Sequence, residues 1–174
     1  FTVKAPATPL TEVTLEYTAP ADLTYDGQPK TPTIALHDGN SSLVKDTDYT
    51  VTYKRANGIS NDTTNAGTIT VEIKGIGNYT GTLTRTYTIE KFQPTITPDP
   101  KTISDLYVGG TATFTVTATG HTTGTNLLND LQVTSSSTGV ATVTYNNGTA
   151  TVTAVKDGTA TITVSYPGNT NYKA

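Results

Sequence analysis

Cysteine, methionine and tryptophan are all missing from this sequence of 174 residues. Without cysteine there can be no disulfide, no thiolate metal site and no cysteine nucleophile, so stability has to come from packing and not from the covalent staples of many small extracellular modules. Without methionine, residue 1 is not an initiator. Phe1 is expected to be the cut end of a longer precursor, with any signal peptide or lipid anchor already removed. No run approaches the ~18 consecutive apolar residues that a membrane helix needs. Charge is scarce as well: 11 Lys and Arg stand against 14 Asp and Glu, a net charge of -3. Such a balance offers no basic footprint for nucleic acid.

What the sequence has in place of these is threonine, about a quarter of all residues, with valine and ten tyrosines. These side chains suit a pleated, half-buried surface. Their order is as telling as their number, because apolar residues fall on one parity and Thr, Lys or Glu on the other. Ile69, Val71 and Ile73 share a face, as do Tyr49, Val51 and Tyr53, and Leu83, Tyr87 and Ile89. Later in the chain the sets are Ala112, Phe114, Val116 and Ala118; Ala141, Val143 and Tyr145; Ala150, Val152 and Ala154; and Ala160, Ile162 and Val164. No segment carries a helical period, and Asn126 to Leu131 is expected to be a short connector. Asp26-Gly27, Asp38-Gly39, Asn57-Gly58, Asn147-Gly148 and Asp157-Gly158 mark turns between short strands, with Asn147-Gly148 the strongest hairpin signal. Many short strands at this spacing predict an all-β chain of antiparallel β-sandwiches.

The segment Gln93 to Pro100 holds three prolines, and proline cannot donate to a central ladder. It is therefore expected to be a boundary and a semi-rigid spacer between two sandwiches, residues 11–92 and 93–174, that together make a rod. Residues 1–10, with Pro6 and Pro9, read as a lead-in linker of the same kind. An internal repeat ties the halves together. Ile69-Thr70-Val71 with Gly75 and Asn78-Tyr79 aligns without gaps on Ile162-Thr163-Val164 with Gly168 and Asn171-Tyr172. In the first half an alternating segment, Thr82 to Glu90, follows; in the second only Lys173 and Ala174 do. The strand Ala160 to Ser165 is thus expected to have one unpaired side, and the second sandwich to lack its last strand.

In the first half, Leu23-Thr24-Tyr25-Asp26-Gly27-Gln28-Pro29-Lys30, Asp46-Thr47-Asp48-Tyr49, Asn65-Ala66-Gly67-Thr68 and Gly75-Ile76-Gly77-Asn78-Tyr79-Thr80-Gly81 together resemble a YDG-type repeat of bacterial surface proteins. In the second, Tyr107-Val108-Gly109-Gly110, Ser135-Ser136-Ser137-Thr138-Gly139-Val140-Ala141 and Lys156-Asp157-Gly158-Thr159-Ala160 resemble the bacterial Ig-like group 2 domain of invasin-like and intimin-like adhesins. The tryptophan usual before the Ser-Ser pair of that family is replaced here by Leu131-Gln132-Val133. The resemblances imply two tandem Ig-like sandwiches in an exported, cell-surface chain. Its partners would be neighbouring domains of a larger surface protein, or a host or cell-surface glycan or protein.

Candidate sites are few. His37 and His121 have no partner at local spacing, and no catalytic residue is assigned. Asp38, Asp46 and Asp48, with Asp99 at the boundary, carry the oxygen ligands that Ca²⁺ takes, but form no EF-hand, and turn formation is the commoner use of such residues. No metal and no cofactor are expected. Gly75-Ile76-Gly77 is read as a turn and not a phosphate cradle, since no helix follows it. Tyr49, Tyr53, Tyr87 and Tyr145 are expected in the core. Tyr79 and Tyr172 are expected to close a sandwich end by hydroxyl-to-backbone bonds, and Tyr25 and Tyr107 are the candidates for binding a partner. The function expected is a non-enzymatic structural or adhesion module, the alternative being a carbohydrate- or protein-binding module that uses loops at one sandwich end.

Overall fold

The computed structural model describes residues 1, 5–56, 58, 61–121 and 125–174; Asn57, of the expected Asn57-Gly58 turn, lies outside them. The fold is all-β, with two 3-10 turns and no α-helix among the described residues. The chain divides into two compact units, Phe1–Lys91 and Phe92–Ala174.

The first unit runs β1 (Thr8–Pro9), β2 (Thr14–Thr18), β3 (Thr33–Asp38), β4 (Ser41–Ser42), β5 (Tyr49–Arg55), β6 (Gly67–Gly75), β7 (Tyr79–Thr80) and β8 (Thr82–Ile89). Two antiparallel sheets, β2-β3-β4 and β5-β6-β8, form the sandwich, and the short strands β1 and β7 pair in parallel. Strand β6 is central because its pattern fits that place. Ile69, Val71 and Ile73 point inward and are wholly buried, and they meet Leu10 and Leu36 in one core. Each such side chain contributes about 1.5–3 kcal/mol by leaving water. The register sets Ile73 between Val51 and Leu83, and Ile69 between Arg55 and Tyr87. On the outer face Thr68 and Thr88 hydroxyls meet at 3.0 Å and Lys54 reaches Glu72 at 2.8 Å. Such exposed pairs add only tenths of a kcal/mol.

The second unit runs β9 (Thr95–Asp99), β10 (Thr111–Thr119), β11 (Gln132–Ser135), β12 (Ala141–Asn146), β13 (Thr149–Ala154) and β14 (Ile162–Ser165). Its sheets are β12-β13-β10-β9 and β11-β14. Phe114, Val116, Ala150 and Val152 are buried in its core together with Leu131, the first residue of the Leu131-Gln132-Val133 segment. The hairpin between β12 and β13 turns at Asn147 and Gly148, both at positive φ (39° and 91°), the geometry a two-residue type I′ turn requires.

Three expectations are corrected by these coordinates. Residues 1–10 are more than a lead-in: Thr8 N donates to Asn78 O at 2.9 Å, and Leu10 is wholly buried. The proline-rich segment is not a spacer, because Thr95–Asp99 is a strand of the second unit. Pro98 lies opposite Val116 on an edge strand, where a missing N–H leaves no central ladder bond unmade. The hydroxyl bond expected of Tyr79 goes to a side chain, and hydroxyl-to-backbone bonds are found at other tyrosines. Tyr87 donates to Lys30 O and Tyr145 to Leu128 O (2.9 Å), whereas Tyr79 donates to the Asp38 carboxylate (3.2 Å) and the Tyr172 hydroxyl lies 3.5 Å from Thr125 Oγ1. What Tyr79 and Tyr172 share is backbone placement: each pairs in parallel with the segment that opens its own unit, Tyr79 with Thr8 and Tyr172 with Phe92.

Candidate functional site

The motif residues of the first unit end up as internal clamps. In the loop Tyr25 to Lys30 the Asp26 carboxylate accepts the Gln28 N–H (2.9 Å) and holds the Lys30 ammonium, while Gly27 takes φ 74°, a left-handed conformation that suits glycine. Lys30 N donates to Thr63 O and Lys30 O accepts the Tyr87 hydroxyl, which ties the loop to β8 and to the segment between β5 and β6. Around Asn65-Ala66-Gly67 the clamp is Arg55. Its Nε meets the Asp62 carboxylate at 2.9 Å, and its terminal nitrogens donate to the carbonyls of Ala66 (3.1 Å) and Asn65. The Gly75 to Gly81 segment closes on itself. Gly75 N donates to Gly81 O and Ile76 N to Asp48 O, so neither amide is left for a phosphate. A Cβ on Gly75 would stand 2.7 Å from Thr80 N, a spacing only glycine permits.

Of the candidate metal ligands, Asp48 and Asp38 hold local contacts through their carboxylates, and Asp46 and Asp99 are placed by their backbone. Asp48 accepts the Val44 N–H at 2.8 Å, Asp46 sits in the same turn at φ 65°, Asp38 accepts the Tyr79 hydroxyl, and Asp99 ends β9 opposite Thr115. Among the described residues no three His, Asp or Glu side chains gather as a ligand set for a metal ion.

His37 comes nearest to a catalytic arrangement. Its Nδ1 lies 3.2 Å from Ser42 Oγ and its Nε2 lies 3.8 Å from Glu16 Oε2. The order is that of nucleophile, base and orienting acid, but the second distance is beyond a hydrogen bond, and the Glu16 side chain is 69% exposed. Cross-strand pairing explains the grouping, since Ser42 lies directly opposite His37 and Glu16 on the next strand. His121 packs edge-on against Phe92, ring centroids 5.6 Å apart.

Of the two tyrosines expected to bind, Tyr25 packs half-buried against the core of the first unit and Tyr107 is 85% exposed. Tyr107 is among the residues that line a groove of about 730 Å³ in the second unit, with Ile96, Phe114, Val152, Ile162 and Val164. Sequence reasoning missed both this groove and Arg55. The signal for Arg55 was present, because it continues the inward parity of Tyr49, Val51 and Tyr53, where a cation demands an anion nearby.

Burial is the main cause that pushes the Tyr87 phenol from its ordinary 10.0 up to about 12, with Tyr53 and Tyr17 adding to it. A raised phenol favours the neutral form in the folded state. Its contribution is whole below pH 10 and is lost as pH rises through about 12. Tyr87→Phe is expected to lose about 1 kcal/mol at pH 8 with the bond to Lys30 O, and to lose less stability than the parent between pH 8 and 11. Urea unfolding at the two pH values reads both effects. Tyr17, Tyr49 and Tyr53, also pushed up by burial, keep part of the alkaline slope in the variant.

Comparison with known proteins finds one family model that matches most of the second unit. Residues 93–166 match the model of the bacterial Ig-like domain (group 2). No curated protein matches the chain. Two solved structures of the surface layer protein SbsC, one of its domains 1-6 and one titled rSbsC(31-844), are similar to it at 25% identity and a TM-score of 0.39. Each alignment covers 94% of this chain and 27% of the SbsC chain.

Proposed function

We propose that the chain is a structural module of an exported bacterial surface protein, two Ig-like sandwiches in tandem that act as a spacer or in adhesion and catalyse nothing. The observation that carries this reading is the fate of the motif residues. Asp26, Arg55, Asp62, Gly75 and Asp48 are engaged in contacts that hold loops and turns in place. The family match of residues 93–166 supports the cell-surface setting. Partners on this reading are neighbouring domains of the same surface protein, with a host or cell-surface glycan or protein as the target of adhesion.

One observation favours the second reading, a module that binds carbohydrate or protein through loops. Tyr107 and Val108 are exposed side by side, at 85% and 63%. A planar ring so displayed is what sugar sites use. Presenting the full chain to a glycan array separates the two readings. The spacer reading expects no saturable binding; saturable binding that disappears in Tyr107→Ala would overturn it in favour of the loop site.

A further inference from the structure

Asn147-Gly148 closes the β12-β13 hairpin with a residue pair that is chemically labile in any chain. In the reaction open to it, the Gly148 nitrogen gives its proton to water or hydroxide and attacks the Asn147 carboxamide carbon. The new carbon–nitrogen bond closes a succinimide ring, and the side-chain nitrogen leaves as ammonia. Water then opens one of the two ring carbonyls, which yields aspartate or, with an extra methylene in the main chain, isoaspartate. Glycine in second place leaves the attacking nitrogen unshielded, because it carries no side chain.

In this hairpin that nitrogen is occupied. Gly148 N donates to the Tyr145 hydroxyl at 2.9 Å, and the same hydroxyl donates to Leu128 O at 2.9 Å. Gly148 O accepts the Val116 N–H at 2.7 Å. Gly148 is buried, and a Cβ on it would stand 3.2 Å from Leu128 Cδ1, whereas Asn147 is exposed at φ 39°. The carboxamide therefore meets water while its reaction partner is held from β10, from the 3-10 turn Leu128–Asp130 and from Tyr145. Ring closure requires rotation about the Asn147 Cα–C bond, which carries the Gly148 nitrogen away from Tyr145. A two-residue turn closes through its ladder pair, here Asn146 and Thr149, and needs no side chain to bond its second residue. The Tyr145 hydroxyl is an addition to that turn.

We propose that Asn147 is a latent deamidation site and that the Tyr145 hydroxyl is its lock. While the hydroxyl bridges Gly148 and Leu128, residue 147 persists as asparagine; when the end of the hairpin opens, the released nitrogen reacts and the change is not reversed. Isoaspartate lengthens the main chain inside a turn whose length sets the β12-β13 register, so a transient opening leaves a lasting mark. The inference does not depend on the spacer reading, which would survive its failure.

The test incubates the full chain, its Tyr145→Phe and Val152→Ala variants, and a free peptide of residues 143–151 in mildly alkaline buffer. Peptide mapping by mass spectrometry follows aspartate and isoaspartate at position 147. The parent is expected to react at least ~10-fold more slowly than the peptide, since its reaction waits on local opening. Tyr145→Phe keeps the ring but not the bridge, and is expected to react roughly 3- to 10-fold faster than the parent, the factor that one lost hydrogen bond supplies. Val152→Ala loosens the same sheet from a buried position opposite Ala112 and Val143, away from the turn, and is expected to react at the parent's rate. A parent as fast as the peptide would overturn the proposal, as would Tyr145→Phe no faster than the parent. Equal acceleration in the two variants would assign the reaction to unfolding of the whole unit, and would overturn it too.

Discussion

Arg55→Met is expected to destabilise the first unit by about 3–5 kcal/mol, the usual cost of breaking one side of a buried ion pair. The Arg55 side chain is 8% exposed and that of Asp62 17%. Methionine keeps the length of the stem but leaves the Asp62 carboxylate without its cation, and the carbonyls of Asp62, Asn65 and Ala66 without their guanidinium donors. Burial alone would push the Asp62 carboxyl up. Hydrogen bonds from Asn65 and Thr64, and the charge of Arg55, outweigh it and hold the group below the usual carboxylate range. A depressed carboxyl contributes stability above its unfolded pKa and loses it as pH falls through the folded one, so the pair also weakens in acid. Urea unfolding followed by tyrosine emission reads the loss. Arg55→Lys is expected to recover less than half of it, because an ammonium cannot fork to several acceptors at once. A loss below about 1 kcal/mol in Arg55→Met would show that the pair behaves as an exposed one.

Seven of the fourteen strands, the four longest among them, were legible from alternation because one face of each is dry. Ile69, Val71 and Ile73 announce β6, and Asn147-Gly148 announces the β12-β13 hairpin, since in both cases local chemistry and tertiary demand agree. Proline was the misleading signal. Pro9 and Pro98 do lack a donor, but β1 is a two-residue strand and β9 is an edge, so the ladder never needed one there. Strand β2 carried the same alternation, with Leu15 and Tyr17 inward, and was overlooked beside the stronger runs. The partners of the tyrosine hydroxyls were not legible at all. Whether Tyr79 meets a backbone carbonyl or Asp38, 41 residues away, depends on how two sheets stack, and no local pattern encodes that. The groove was not legible either, because its walls include residues of β9, β10, β13 and β14 that only the tertiary fold brings together.

Leu10 gives the sharpest check on the opening segment. Leu10→Ala is expected to cost the first unit about 2–5 kcal/mol, the range for deleting a fully buried leucine side chain beyond its Cβ. Leu10 is 0% exposed and belongs to the same core as Leu36, Ile69 and Ile89. Its position is fixed from both sides. Thr8 is bonded to Asn78 O just before it, and Val13 N donates to Leu10 O to close the 3-10 turn Leu10–Glu12. With the backbone held, the core cannot collapse into the space alanine would leave, which favours the upper half of that range. A lead-in segment would behave differently: truncating any of its side chains would change stability by no more than about 0.5 kcal/mol. Pro6→Ala, at an exposed position in the same stretch, supplies that comparison within one protein. Urea midpoints for the two variants should therefore separate clearly, on the same transition that Arg55→Met shifts. Equal midpoints would place Leu10 outside the core and return residues 1–10 to the role of a linker.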